Sequence, residues 1–412
     1  MALHLLKAMK LCVFFFCLFF LTSRSSSSSQ WTLQVRNHLK RLNKPPIKSI
    51  KSPDGDIIDC VHIYDQPALD HPSLRNHTIQ MRPSVYPEGA AGYMESEKGS
   101  NPFTQLWQLN GRCPQGTVPI RRITEEDILR ASSIERFGMK RPNTIPRTSP
   151  TDFGDDSYVH EYAIAYIEGN GEKYYGAKGI LNVWKPNTQG FVEFSCAQLW
   201  LLGGPLETGK LNTLEAGWQV NPLLFGDNNT RIFIYWTNDG YQTNGCYNML
   251  CSGFVQVNNG ISMGAQISPV SEYGGSQFDI LVYIWKDPKQ GNWWLQFGNE
   301  KPLGYWPASL FPYLNDSATM IEWGGEIINE QNDGQHTTTQ MGSGHFPGEG
   351  FHKAAFFRNL KYIDNSNVPR DPRGFSTLLQ QSSNCYDIQR HNDRVWEYAF
   401  FYGGPGRNPN CP

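Results

Sequence analysis

Arg231-Ile-Phe-Ile-Tyr-Trp-Thr237 and Phe278-Asp-Ile-Leu-Val-Tyr-Ile-Trp285 are the stretches on which the fold turns. Both are short runs of aromatic and β-branched side chains, which favour strands over helices. Turn-forming clusters such as Asn238-Asp239-Gly240 and Asn258-Asn259-Gly260 punctuate the same region. Upstream, Tyr162, Ile164 and Tyr166 alternate with smaller residues at strand period. Many short strands at this spacing predict an antiparallel β-sandwich or jelly roll over 151–412. No repeat of 20 to 50 residues interrupts them.

Composition agrees. Aromatic residues make up 13% of the 412 positions and charged residues only 18%. The chain carries 39 Gly and 27 Pro, which favours turns over long helices. With 36 basic against 38 acidic residues there is no basic footprint for nucleic acid, and the apolar content is ample for a core.

Lys7 and Lys10 precede the apolar run Leu11–Leu21, which is followed by a serine-rich stretch. The run is the length of a signal-peptide core and too short to span a bilayer, so residues 1–29 read as a leader of a secreted, extracellular protein with no membrane association once it is removed. A signal anchor is the competing reading. Seven cysteines follow the leader, and an oxidising route would pair six. Cys246 with Cys251 closes a local loop, Cys385 with Cys411 pins the C-terminal tail, and Cys60 with Cys113 staples the N-terminal region. Cys196, inside an apolar strand pattern, is left as a buried free thiol. Sequons at Asn76, Asn228 and Asn315 are candidate glycosylation sites.

Residues 30–150 have a different character, that of a small irregular α+β region. Trp31, Val35, Leu39 and Leu42 recur at helical spacing before Pro45 and Pro46. Thr124 ahead of Glu125, Glu126 and Asp127 reads as an N-cap with an acidic first turn. The segment Arg141–Pro150 contains Pro142, Pro146 and Pro150 without apolar periodicity, and reads as an extended, accessible linker.

Several motifs fail on inspection. Gly204–Leu211 nearly spells a phosphate-binding loop but has Leu211 where the metal-binding hydroxyl belongs. His336, His345 and His352 match no metal spacing and read as structural, and no metal or other cofactor is expected. The acids are more informative. Glu215 sits in Leu214–Val220, and Glu322 and Glu326 sit in Ile321–Ile328, all within otherwise apolar runs. Burying a carboxylate there is costly unless it is paired or protonated. Each acid either pairs with an Arg, Lys or amide, or faces another acid across a cleft, where mutual repulsion leaves one protonated and one ionised for acid–base hydrolysis. Positions 322, 324 and 326 share a strand face, with Gly324 expected to leave open space for a substrate backbone. Trp218 and Trp323 point to the opposite face and read as core.

The strings EAGWQV, YWTNDGYQTNGCYN, GNWWLQFG, EWGGEI, HTTTQMGSGHFP and FYGGPGRNP, in this order, resemble the neprosin family of secreted plant proteins, and DCVHIYDQPALDHPSLRNHTIQMRPS resembles its activation-peptide region. The resemblance implies a glutamic endopeptidase that cleaves after proline, is made as a zymogen inhibited by its own pro-domain, and is activated in acid. It implies a catalytic antiparallel β-sandwich, catalytic glutamates at Glu215 and Glu326, and no catalytic role for Glu322. Strand alternation does not choose between 322 and 326. Cys196 departs from the family pattern, a departure that leaves both matched glutamates in place. Location in the apoplast or cell wall follows, with proline-containing peptides as partners and the prolines of the linker as self-cleavage sites. A β-sandwich glycoside hydrolase and a catalytically inactive cell-wall binding protein are the other readings.

Overall fold

The computed structural model describes residues 31–90, 103–140, 158–169, 171–206, 209–298, 301–330, 334–379 and 383–412. The leader and the linker Arg141–Pro150 lie outside them.

Two antiparallel sheets form the sandwich. The first has seven strands in the order Gly245–Tyr247, Arg231–Thr237, Asn212–Val220, Ser195–Gly203, Met320–Glu330, Tyr158–Glu168 and Ser376–Leu379. The second, of nine, is built around Asp279–Lys286, Gly176–Asn182 and Ala355–Ile363. Leu199, Leu201, Trp218 and Trp323 leave the first sheet for the shared core. Both indoles also bridge the layers: Trp218 Nε1 donates to Asn182 O at 3.0 Å and Trp323 Nε1 to Lys178 O at 3.2 Å. A buried indole N–H needs such an acceptor, so these tryptophans serve the core, as their strand parity indicated.

The strand Asn212–Val220 is buried at every position. One face packs in the sandwich and the other lies under a second apolar cluster that includes Val35, Leu42, Ile134 and Phe137 of the N-terminal region. Burial on both faces explains why the strand reads as a continuous apolar run rather than an alternating one.

The N-terminal region has its own small architecture. Helix 31–42 packs Val35 and Leu42 inward, while Trp31 stays 41% exposed. Three strands, Pro46–Lys51, Ile57–His62 and Thr117–Arg121, make a sheet. Helix Glu125–Leu129 opens with a capping box between Thr124 and Asp127, and Asp127 also pairs with Arg121 and Arg130. Polar anchors fix this region to the sandwich. Arg231 reaches Asp56 at 2.6 Å. Buried Asp287 accepts from Gln80 Nε2 at 2.7 Å, from Ser84 N at 2.6 Å and from the Ser84 hydroxyl. Strand Thr104–Gln105 pairs with Ile267–Ser268.

The structure joins Cys60 to Cys113, Cys246 to Cys251 and Cys385 to Cys411, and leaves Cys196 free and buried. Asn76, Asn228 and Asn315 are exposed. Cys60–Cys113 sits in a small core with Ile50, Ile58 and Trp107 and closes a loop of 53 residues. By chain entropy that cross-link contributes about 4 kcal/mol to the N-terminal region. Replacing both cysteines by Ser is expected to lower the first thermal transition and raise hydrogen exchange in 46–121 selectively. An unchanged exchange pattern would count against an independent stability for this region.

No helix among the described residues is long and apolar enough to cross a membrane. His336 lies near Cys385 and Cys411, but those sulfurs are bonded to each other, and His336 pairs instead with Glu161 at 3.0 Å.

Candidate active site

Register places the acids. Strand Ser195–Gly203 lies between Asn212–Val220 and Met320–Glu330. Trp200 pairs with Glu215 on one side and Glu322 on the other, and Cys196 pairs with Glu326. All three glutamates therefore share the sheet face turned away from the sandwich core. Between them Gln198 is flanked by Gly217 and Gly324. These glycines do not leave the open space expected for a substrate. A Cβ on Gly324, at φ +158°, would strike the Ala163 carbonyl, and one on Gly217 the Ala197 carbonyl. They are required for close approach of neighbouring strands, and the acids on either side are bridged by a residue from elsewhere.

That residue is Lys140. Its ammonium lies 2.6 Å from Glu215 Oε2 and 3.4 Å from Glu326 Oε2, in a cage of the Tyr235, Tyr241 and Tyr247 rings. The backbone is clamped as well: Lys140 N donates to Tyr235 OH at 3.2 Å, and Tyr247 N donates to Gly138 O at 2.8 Å. A buried ammonium is tolerable only because two carboxylates and three ring faces replace its water. Burial opposes its charge, yet Glu215 and Glu326 outweigh this and hold the Lys140 proton well above its usual range.

The two carboxylates are dressed differently. Glu215 accepts from Tyr241 OH at 2.7 Å and Thr213 Oγ1 at 2.9 Å besides Lys140. Glu326 accepts from Gln198 Nε2 at 2.7 Å on Oε2, and on Oε1 from His160 Nδ1 at 2.7 Å and Tyr162 OH at 3.4 Å. Burial would raise the Glu326 carboxyl, but Lys140 and His160 hold it below the ordinary range. Burial foremost, then the carboxylates, pushes the Tyr162 and Tyr241 hydroxyls well up, so both remain donors. Cys196 also touches this centre, with Sγ 3.8 Å from Glu326 Oε2. The reason is register: it stands directly opposite Glu326 on the same face. Burial and the neighbouring Glu326 raise its thiol far above the usual range, so it is a weak donor and no nucleophile here.

Lys140, Gln198, His160, Tyr162, Tyr241 and Thr213 were not singled out from the sequence. Gln198 carried a usable signal, a polar side chain inside the apolar run Phe194–Leu202, the same sign that marked Glu215. Lys140 carried none, since its partners are 75 and 186 residues away. Beside Lys140 a cleft of about 680 Å³ continues along the sheet, lined by Tyr158, His160, Val192, Asn221 and Leu223 of the sandwich and by Arg136 of the N-terminal region.

Fold and site together define a β-sandwich protein in a closed form, its buried carboxylate pair stoppered by a lysine of its own N-terminal region. The chain belongs to the neprosin family: the Neprosin model matches residues 192–405, and the Neprosin activation peptide model matches 49–166. Glu215 and Glu326 fall in the first match and Lys140 in the second. The activation-peptide match also runs into strand Tyr158–Glu168, which is paired along its full length with Met320–Glu330. Among solved structures the chain is distantly similar to scytalido-glutamic peptidase bound to a peptide-based transition-state analogue, with TM-score 0.33 and 10% identity over 60% of this chain and 99% of that one. It is similar at TM-score 0.31 and 9% identity, with the same coverage, to SCP-B, a member of the eqolisin family, in complex with the tripeptide Ala-Ile-His.

Proposed function

We propose that this chain is a secreted glutamic endopeptidase, acting in acid and cleaving after proline. In this reading it is made as a zymogen whose residues 30–150 are a pro-domain and linker removed by its own activity, and 151–412 are the catalytic sandwich. The observation that carries it is the Glu215–Lys140–Glu326 cluster, a carboxylate pair held by a cation from a matched activation peptide.

With Lys140 withdrawn, the two carboxylates share a buried pocket and one takes up a proton. Glu326, with donors on both oxygens, is the better ionised partner and serves as base. Glu215, with both hydroxyls on Oε1, leaves Oε2 free to face the carbonyl oxygen and serves as acid. Water gives a proton to Glu326 as its oxygen bonds to the carbonyl carbon, and Glu215 protonates the carbonyl oxygen. In the collapse, Glu215 takes back a hydroxyl proton while Glu326 protonates the departing amine as the C–N bond breaks. Both side chains return to their starting states. The proline side of the substrate, on this reading, occupies the cleft beside His160 and Val192.

The test is hydrolysis of a quenched proline-containing peptide by protein incubated near pH 4, with removal of the pro-domain checked by intact mass. Cleavage after proline supports the reading. A processed protein that leaves the peptide intact overturns it, and directs the search to polysaccharide hydrolysis and binding.

Docking of the pro-domain is itself acid-sensitive on this reading. His71 packs against Trp236, and His77 Nε2 lies 2.7 Å from Tyr305 OH. Burial lowers both imidazoles from their usual 6.5. A lowered imidazole means the undocked state binds more protons, so docking weakens as pH falls below that value. Asp287, which burial would raise but the Ser84 and Gln80 bonds hold low, adds docking strength that is lost only as pH drops through its lowered value. Replacing His71 and His77 by Gln is expected to flatten the loosening between pH 6.5 and 5, read by hydrogen exchange of 46–121 in a Glu215→Gln chain that cannot process itself. Superimposable exchange profiles would remove the histidines from the mechanism.

A further inference from the structure

The oxygens of Glu326 are not equivalent. Oε1 is held by His160 Nδ1 and Tyr162 OH, both from strand Tyr158–Glu168 of the sandwich. Oε2 faces Gln198, Cys196 and Lys140. A carboxylate only accepts, so Nδ1 of His160 carries the proton of that bond. The ring cannot swing freely: it lies nearly parallel to Tyr162 at 6.2 Å and against the edge of Phe194 at 6.0 Å. Departure of the pro-domain removes a donor from Oε2 and none from Oε1.

We propose that His160 is the positioning residue for Glu326: it fixes the carboxylate rotamer through Oε1 and reserves Oε2 for the attacking water. This rests on the peptidase reading and adds a third member to the pair. Among the described residues, the titratable groups sharing this pocket are Glu326 from the adjacent strand, Cys196 from the strand beyond it, Tyr162 from its own strand, Glu215, Tyr241 and Tyr247 beyond Gln198, and Lys140 from the pro-domain.

The experiment compares full-length wild type, His160→Gln and His160→Phe after acid incubation, with processing supplied in trans by a trace of wild type where a variant does not process itself. In His160→Phe the acid limb of the kcat profile is expected to move up by about one unit, because the His160 bond that helps hold the Glu326 carboxyl low is lost. That corresponds to about a tenfold loss of kcat at pH below the limb, with kcat recovered above it. His160→Gln, which keeps a donor, recovers part of kcat. A second readout needs no turnover: the 13C carboxyl resonance of Glu326, assigned by its absence in Glu326→Gln, is titrated in wild type and in both His160 variants. Coincident titrations and superimposed profiles overturn the proposal. A Glu326 titration that moves up in His160→Phe, in a wild type that cleaves no peptide, upholds the role of His160 and overturns the peptidase reading instead.

Discussion

Glu326→Gln and Glu215→Gln are each expected to lower peptide cleavage by the processed protein by about 10²- to 10⁴-fold, the range of a positioned acid or base. An amide has nearly the shape of the carboxylate but neither accepts the proton of water nor donates one to a carbonyl. The fold should survive, because Gln198, Thr213 and Tyr241 find an amide partner where they had a carboxylate. In the full-length chain the same substitutions also remove a charge facing Lys140, so the pro-domain is held less tightly while turnover is lost. A variant that opens more readily yet does not cleave separates failure of chemistry from failure of activation. Retention of wild-type kcat in either variant sinks the assignment of the pair.

Lys140→Met is expected to abolish latency near neutral pH. Removing one partner of a buried, hydrogen-bonded ion pair costs about 3–5 kcal/mol, here charged to the closed state and equal to about 10²- to 10⁴-fold in its population. The sign of the pH dependence follows from Glu326. Its carboxyl is held below the ordinary range in the closed form, so the Lys140 clasp is fully present above that range and is lost as pH falls through the lowered value. Wild type should therefore stay closed at pH 6–7 and open in acid, whereas Lys140→Met should open across the whole interval. The measurement is linker cleavage and peptide hydrolysis at pH 5, 6 and 7. Identical pH thresholds for the two proteins would show that the pro-domain is held by its other anchors, Asp56–Arg231 and Asp287, and that Lys140 merely fills space.

The class of fold, the N-cap at Thr124 and the burial of Glu215 and Glu326 could all be read along the chain. Each depends on neighbours in sequence: strand period, turn residues, and an acid placed among apolar side chains. Cys196 shows where that reading stops. As a buried thiol in a strand it was legible, but its contact with Glu326 depends on how two strands 130 residues apart are registered. Gly324 was read as space and is instead a close approach, because its Cβ direction is set by a positive φ and by the neighbouring strand's carbonyl.

The sequence by itself determined a β-sandwich and three acids, Glu215, Glu322 and Glu326, set in apolar runs, since hydrophobic pattern and turn chemistry are local; the family resemblance chose the pair. Tertiary structure alone decided that Lys140 enters the pair, that His160 and Tyr162 take one oxygen of Glu326, and that Tyr241 and Thr213 take one of Glu215. The physical reason is that a buried charge is stabilised by whichever groups the fold brings within about 3 Å, and the sequence distance to those groups carries no energy.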